Sequence, residues 1–254
     1  MQLNDFVAMM QGIAPNELSM GYDNVGLLIG PESKDIKKVL VALDCSTITA
    51  EEAIRLNCEL MLTHHPVFFH GAKRISLDDP ATAGAYMLMR AGIGLYAAHT
   101  NLDACDGGVN DALCDALGIM EQAAITPDGI GRIGALRQPV RFYDYARLVE
   151  DRLGAAVRVS GDMDKLISKV AVVGGAGGEY AGFAQQAGAD LFISGEFRHH
   201  EGIYAREMGL CIIDAGHYET EKPVLKAMIN RLHRLCDDVQ YNLTQCESGP
   251  LSRI

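Results

Sequence analysis

The feature that most constrains the fold of this chain is the alternation of short apolar runs with stretches of helical spacing. The runs of strand length are Val39–Leu43, Leu60–Thr63, Ile93–Ala98, Val170–Val173, Leu191–Ser194 and Leu210–Asp214. Between them lie good helix formers whose apolar residues recur at helical spacing. Because a strand that is apolar throughout is covered on both faces, this pattern predicts parallel βαβ units. We therefore expect an α/β fold with mixed, mostly parallel sheets.

The chain divides into two related halves, residues 1–125 and 166–254, joined by a connecting insertion over residues 126–165. In each half a strand, a helix and a second strand are followed by polar residues. The next strand then ends in a histidine, His99 in the first half and His217 in the second. Ligands of open α/β sheets bind at the carboxyl ends of the strands. We expect the halves to form one intertwined unit around a shared metal-binding cleft.

Charge, cysteine usage and hydropathy exclude several functional classes. The 22 basic against 33 acidic side chains give a net charge of −11, which argues against nucleic acid as a partner. The seven cysteines are an odd number without C-x-x-C spacing, as is typical of reduced thiols. The first residues lack the basic start and apolar stretch of a signal peptide, and no apolar run approaches the ~20 residues that span a bilayer. We expect a cytoplasmic protein with no membrane partner.

Two pairs of adjacent histidines are the strongest chemical signal. The chain has eight histidines, for which even one adjacent pair is more than chance predicts. His64 and His65 follow a predicted strand and precede Pro66, so the backbone turns there. They are either metal ligands or a hydrogen-bonded pair beneath a loop. His199 and His200 lie on a predicted helix after Glu196. Only one of two neighbours on a helix can face a site, and we favour His200.

A carboxylate and a further histidine follow the third predicted strand. His99 ends that strand, and Asp103 lies four residues later. A carboxylate beside imidazoles can bridge two divalent ions. The competing carboxylates are Asp106, which precedes Gly107 as turn residues do, and Asp111, which we expect on the solvated face of a helix. His99 is a ligand, a donor that supports a ligand, or a proton carrier, and we favour the last two.

The second half supplies a third group of candidate ligands. His217 follows a strand, and Pro223 belongs in the first turn of the next helix. We therefore expect that helix to begin near Thr220 as its N-cap, with His217 on the preceding loop. Glu221 is the candidate ligand and Glu219 its rival. Either carboxylate is otherwise explained as a first-turn acid that complements the helix dipole.

Taken together, these motifs resemble those of the GTP cyclohydrolase I type 2 homologues, also called the Nif-three-like family. The matching strings run along nearly the whole chain: YDNVGLLIG (22–30), VLVALD (39–44), LTHHPVFF (62–69), AAHTNLDA with GGVNDAL (97–113), SGEFRHH (194–200) and DAGHYETEKP (214–223). One departure is Tyr22, where many members have tryptophan, a residue that this chain lacks. The length of 254 residues is similar to the short form, which has no large domain inserted between the halves.

What the resemblance implies is a dinuclear metal site and a toroidal homohexamer. The ligands carried over are His64, His65, Asp103, His217 and Glu221. Three imidazoles and two carboxylates suit Zn, Fe, Mn, Co or Ni. We expect two divalent ions per chain, within ~4 Å of each other. Such ions need anionic carboxylates between or beside them.

The reaction implied by the family name is the hydrolytic opening of the guanine ring of GTP. A hydroxide held between two ions is nucleophilic at neutral pH, and His99, Glu196 and His200 are the candidates for acid–base catalysis. The same chemistry would serve a phosphoesterase or amidohydrolase acting on another small molecule. The alternative outside catalysis is a metal-binding oligomer or adaptor. The glycine-rich segment 172–180 is either a phosphate cradle or a tight strand-to-helix turn.

Overall fold

Two mixed sheets, each built around parallel strands, form the fold. The computed structural model describes residues 1–251, which fall into two compact units. Unit 1 comprises Met1–Cys105 and Leu225–Ser248, and unit 2 comprises Asp106–Val224 with the described residues after Ser248. The α/β class predicted from the apolar runs is confirmed.

The sheet of unit 1 has the strand order β1-β4-β3-β2-β11. Its strands are β1 (Gly26–Ile29), β2 (Lys38–Ala42), β3 (Leu60–Thr63), β4 (Gly94–Ala97) and β11 (Gln240–Leu243). All neighbours are parallel except β1, which runs antiparallel to β4. Thr63 at the end of β3 is paired with Ala42 on one side and Ala97 on the other. The three parallel strands therefore end level with one another, and the residues that follow them share one edge of the sheet.

Helices cover this sheet and connect its strands. They are α1 (Leu3–Ile13), α2 (Thr47–Leu56), α3 (Ala83–Arg90) and α4 (Thr100–Ala104). Helix α2 begins at a capping box, in which Ser46 and Thr49 satisfy each other's backbone N–H groups. It ends at Asn57, whose left-handed backbone closes the helix before β3. The core between α2, α3 and the sheet is filled by residues such as Leu40, Met61 and Leu88.

The sheet of unit 2 has the order β5-β6-β8-β9-β10-β7. Its strands are β5 (Met120–Ala124), β6 (Arg132–Arg141), β7 (Arg158–Ser160), β8 (Leu166–Val173), β9 (Leu191–Ser194) and β10 (Cys211–Asp214). Strands β8, β9 and β10 are parallel, and β7 runs antiparallel to β10. Ser194 is paired with both Val173 and Asp214, so these strands also end level.

Five α-helices lie within the described part of unit 2. They are α5 (Val109–Leu117), α6 (Phe142–Leu153), α7 (Ala181–Gln186), α8 (His199–Glu207) and α9 (His217–Glu221). Helix α10 (Pro223–Leu235), most of which belongs to unit 1, has Pro223 in its first turn as predicted. Residues 126–165 contribute β6, α6 and β7, so this segment is part of the second sheet and its core. Among the described residues, no helix is long and apolar enough to cross a membrane.

Candidate metal centre

His64 lies immediately after β3, with its side chain buried. Its Nδ1 donates a hydrogen bond of 2.8 Å to the backbone carbonyl of Ala98. Because a carbonyl oxygen only accepts, this bond places the proton on Nδ1 and the lone pair on Nε2. Nε2 lies 3.7 Å from Oδ1 of Asp103, which is longer than a hydrogen bond. The imidazole therefore presents a metal-ligating nitrogen toward the predicted carboxylate.

His65 is oriented by Asp44, a residue that sequence reasoning did not assign to the site. The Nδ1 of His65 lies 2.9 Å from Oδ1 of Asp44, in the loop after β2. This loop is itself held by Glu247, whose carboxylate accepts hydrogen bonds from the backbone N–H groups of Leu43 and Asp44 at 2.9 and 2.7 Å. The tautomer that donates to Asp44 again places the lone pair on Nε2.

His99 is held by a second carboxylate that sequence reasoning missed. Its Nδ1 lies 3.0 Å from both side-chain oxygens of Asp23, whose side chain is fully buried. Burial by itself would raise the pKa of the Asp23 carboxyl, but the hydrogen bonds from His99 and Thr100 outweigh it and hold that pKa far below its usual value. Asp23 is thus a fixed anion that orients the His99 ring.

The three imidazoles of unit 1 form one group, because their supporting oxygens hold the rings side by side. The ring centroids of His64, His65 and His99 are 4.9 to 5.6 Å apart, and one nitrogen of each lies within 4.8 Å of the others. Two nitrogens that share an ion at about 2.0–2.1 Å are themselves about 3–4 Å apart, so small side-chain shifts would close this group on a metal. The structure therefore brings His99 close enough to act as a ligand or as a proton carrier.

Unit 2 brings the other predicted ligands together on α9. His217 and Glu221 are four residues apart on that helix, and Nε2 of His217 lies 3.1 Å from Oε1 of Glu221. The Nδ1 of His217 lies 2.7 Å from Oε1 of Glu196, so Glu196 orients this imidazole. Glu221 is buried, whereas the carboxylate of Glu219 folds back over Gly216. Of the two rival carboxylates, the structure brings Glu221 to the histidine.

The predicted start of the helix at Thr220 is wrong. Helix α9 begins at His217, and Thr220 lies inside it. The Thr220 hydroxyl lies 2.9 Å from the carbonyl oxygens of Gly216 and His217 and accepts a hydrogen bond from the N–H of Gly175. A threonine that bonds to the preceding turn is compatible with a helix interior. Its hydroxyl thus ties the glycine-rich loop to the helix that carries His217.

The glycine-rich loop after β8 is a tight turn. Its amides donate within the chain, those of Gly174, Gly175 and Gly177 to side-chain oxygens and that of Gly178 to a carbonyl. These donors are thus committed, which argues against a phosphate cradle. Gly175 has φ +64°, and a Cβ there would lie 2.3 Å from Oε1 of Glu221 and 3.1 Å from Nε2 of His217. The absence of a side chain therefore keeps the space beside both candidate ligands open.

The remaining predicted residues lie apart from these groups. His200 is exposed on α8 with its ring 5.9 Å from that of Tyr204. The prediction that Asp111 lies on a solvated helix face is wrong, since it forms an ion pair of 2.9 Å with the buried guanidinium of Arg132. Asp106 lies 3.4 Å from the same guanidinium. Asp106 and Asp111, the two rivals of Asp103, therefore serve as anionic partners of the buried Arg132 guanidinium.

The donor set of each unit suits a divalent ion. Each imidazole has its Nδ1 held by an oxygen, as is usual for metal-bound histidines, because the partner fixes the ring and the tautomer. Carboxylates lie at Nε2 of His64 and of His217, where they would balance the charge of an ion.

The sequence signal that could have identified Asp23 is its position in the YDNVGLLIG string.

Known proteins resemble this chain over its full length. The model of the family described as Duf34/NIF3 (NGG1p interacting factor 3) matches residues 1–250. A Clostridium perfringens protein named GTP cyclohydrolase 1 type 2 homolog is 37% identical, and the match covers 100% of both chains. A Staphylococcus aureus hypothetical protein of known structure has a TM-score of 0.92 at 25% identity, covering 100% of this chain and 99% of that one. A Bacillus cereus protein related to NIF3 shares the fold, with a TM-score of 0.95 at 23% identity and coverage of 100% and 99%. The chain therefore belongs to the Duf34/NIF3 family.

Proposed function

We propose that this protein is a dinuclear, divalent-metal-dependent hydrolase that acts on a nucleotide, with the opening of the guanine ring of GTP as the named reaction. The observation that carries the proposal is the arrangement of four histidines, each with Nδ1 held by an oxygen, together with carboxylates at Nε2 of His64 and of His217. The proposed ligands are His64, His65, Asp103, His217 and Glu221. The name of the Clostridium perfringens relative supports the substrate.

Two bound divalent ions would supply a nucleophile from water at neutral pH and would stabilise developing negative charge. The chain's own residues then divide the remaining work. Asp103 and Glu221 supply the anionic charge that balances the two ions. Asp23 keeps the proton of His99 on Nδ1, so that Nε2 of this ring can take up a proton and return it during the reaction.

Glu196 acts in this scheme through His217 by keeping that imidazole oriented. Its role is thus to position a ligand. The ring of His200 contacts that of Tyr204, and its assignment to acid–base catalysis stays a prediction from the sequence.

A second candidate function is the storage or delivery of a single metal ion. The observation that favours it is the meeting of three imidazoles within unit 1, since three nitrogens can hold one ion without any ligand from unit 2. This function predicts one ion per chain and no turnover. The dinuclear hydrolase predicts two ions per chain and release of a product.

The deciding experiment combines metal analysis with a nucleotide screen. The purified chain is loaded in turn with Zn, Mn, Fe, Co and Ni, and the metal per chain is measured by elemental analysis. Loaded protein is then incubated with GTP and other nucleotides, and formate and phosphate release are followed. We expect two ions per chain and turnover that is lost in His64→Ala and kept in His233→Ala, a matched exposed histidine on α10. One ion per chain without turnover of any nucleotide would contradict the proposal.

A further inference from the structure

Two partly exposed aromatic side chains lie beside the histidine group of unit 1: Phe69 contacts His99, and Tyr22 contacts Phe69. Tyr22 is 68% exposed and Phe69 is 37% exposed. Their rings meet edge to face, with centroids 6.0 Å apart. The Phe69 ring is also nearly perpendicular to that of His99, at 5.8 Å. Ring contacts thus lead from the exposed Tyr22 through Phe69 to His99.

The loops that carry these rings are fastened to each other. Asn24 donates from its side-chain amide to the backbone carbonyl of Phe68 at 2.9 Å, which joins the segment after Tyr22 to the segment before Phe69. Asp23, next to Tyr22 in sequence, is anchored by His99 and Thr100. Polar contacts of the neighbouring residues therefore fix the two loops that carry the aromatic pair.

The geometry suits a planar ring. Phe69 is packed edge to face or nearly so against Tyr22, His70 and His99, whereas Tyr22 is 68% exposed and presents ring surface to solvent. Exposed aromatic faces attract other aromatic systems by offset stacking. Ligand sites are commonly lined by such aromatic surfaces beside a few polar or metal-binding groups. Stacking on a side chain is available to every nucleobase, because each has a π face. An aliphatic substrate would gain no comparable stack.

From this we infer that Tyr22 and Phe69 form the surface on which the heteroaromatic ring of the substrate stacks beside the metal centre. The inference rests on the proposed function, because it names the part of the substrate that the same site recognises. It assigns a binding role to both residues and makes the planar base, and not the sugar phosphate, the recognised group.

The chain itself offers a reporter for this inference. It contains no tryptophan, so Tyr22→Trp introduces a single fluorophore at the stacking surface. Guanosine 5′-monophosphate should quench its fluorescence to a saturable limit, whereas ribose 5-phosphate, the same molecule without the base, should not. The matched control is Tyr143→Trp, at an exposed tyrosine of α6, where quenching should rise linearly with nucleotide and never saturate.

Affinity measurements complete the test. Calorimetry with guanosine 5′-monophosphate should show binding weakened by about 5- to 100-fold in Tyr22→Ala and in Phe69→Leu, the scale of one lost base–aromatic stack. Metal content should be unchanged in both variants, since neither residue is among the proposed ligands. Tyr22→Trp should bind the nucleotide about as tightly as the unaltered chain, because it keeps an aromatic face at this position.

The experiments are run on Zn-loaded and on metal-free protein of 254 residues, so that stacking is read separately from catalysis. Saturable quenching without turnover of any nucleotide would support the stacking surface and count against the hydrolase. Turnover together with equal affinity in Tyr22→Ala and the unaltered chain would overturn the stacking surface alone. A second result would also overturn the stacking surface: Tyr22→Ala leaves nucleotide affinity intact and lowers the mass measured by light scattering. The two rings would then serve contacts between copies of the chain.

Discussion

Each imidazole of the candidate centre is fixed by an oxygen from a different part of the chain. His64 uses a carbonyl 34 residues away, His99 uses Asp23 across 76 residues, and His65 uses Asp44 across 21. The histidines could be predicted because they directly follow recognisable strands. Their partners could not, since nothing in the local pattern distinguishes a supporting carboxylate from a surface one. The sequence thus predicts the groups that would touch the metal, while tertiary contacts determine their tautomers.

At the scale of single residues, we expect opposite effects on metal content from replacing Asp103 and from replacing His99. Asp103→Ala should lose at least one of two ions per chain, because the remaining ligands would be short of anionic charge. His99→Ala should keep both ions and lower any hydrolytic rate by about 10²–10⁴-fold, the usual scale of acid–base catalysis. Elemental analysis of both variants, with single-turnover rates on the accepted nucleotide, checks each expectation.

Two results would contradict these assignments. If Asp103→Ala retains two ions, Asp103 is not a necessary ligand. If His99→Ala loses an ion, the His99 nitrogen belongs to the metal shell, as its place in the three-histidine group of unit 1 allows.

At the scale of elements, the strands that the sequence predicts are those buried on both faces of a sheet. Strands β3 and β9 match their predicted bounds, and every residue in them is buried. Strand β5 was not predicted, because it lies at a sheet edge and most of its residues are exposed. Strand β11 was missed for a related reason, since its Gln240 and Asn242 are polar and it pairs with β2 at the other end of the chain. Long-range pairing leaves no local signal.

The segment after β11 is fastened to α2 by a buried carboxylate. Glu52 is 2% exposed and accepts hydrogen bonds from the hydroxyl of Thr244 at 2.6 Å and from the N–H of Gln245. Glu52→Ala would leave both donors without this acceptor, which should cost about 1–3 kcal/mol of unfolding free energy. For a chain of this size the thermal midpoint should fall by about 2–12 °C.

Calorimetric unfolding of Glu52→Ala beside Glu51→Ala checks this. Glu51 is the exposed neighbour on the same helix, and its removal should shift the midpoint by no more than about 2 °C. Equal shifts in the two variants would show that the buried contacts of Glu52 are not what stabilises the segment.

At the scale of the whole molecule, the prediction that extends furthest is assembly. The toroidal homohexamer is implied by the family resemblance, and one surface of unit 2 supports association. Helices α7 and α8 are in contact and carry exposed large apolar side chains, Phe183 at 43%, Ile203 at 37% and Tyr204 at 62%. Single exposed apolar residues are ordinary, but several on adjoining helices are typical of a surface that binds another protein chain.

Light scattering of the 254-residue chain should therefore give a mass several times the 27.4 kDa of one chain, and six times that mass for the hexamer. Closed symmetry requires the same patch to be used in every copy, so Tyr204→Glu should reduce the mass in a discrete step, because a buried charge would lie at each repeated contact. Tyr143→Glu, at an exposed tyrosine on α6, should leave the mass unchanged. A stable monomer at micromolar concentration would exclude the assembly, and equal masses for Tyr204→Glu and the unaltered chain would place its contacts on another surface.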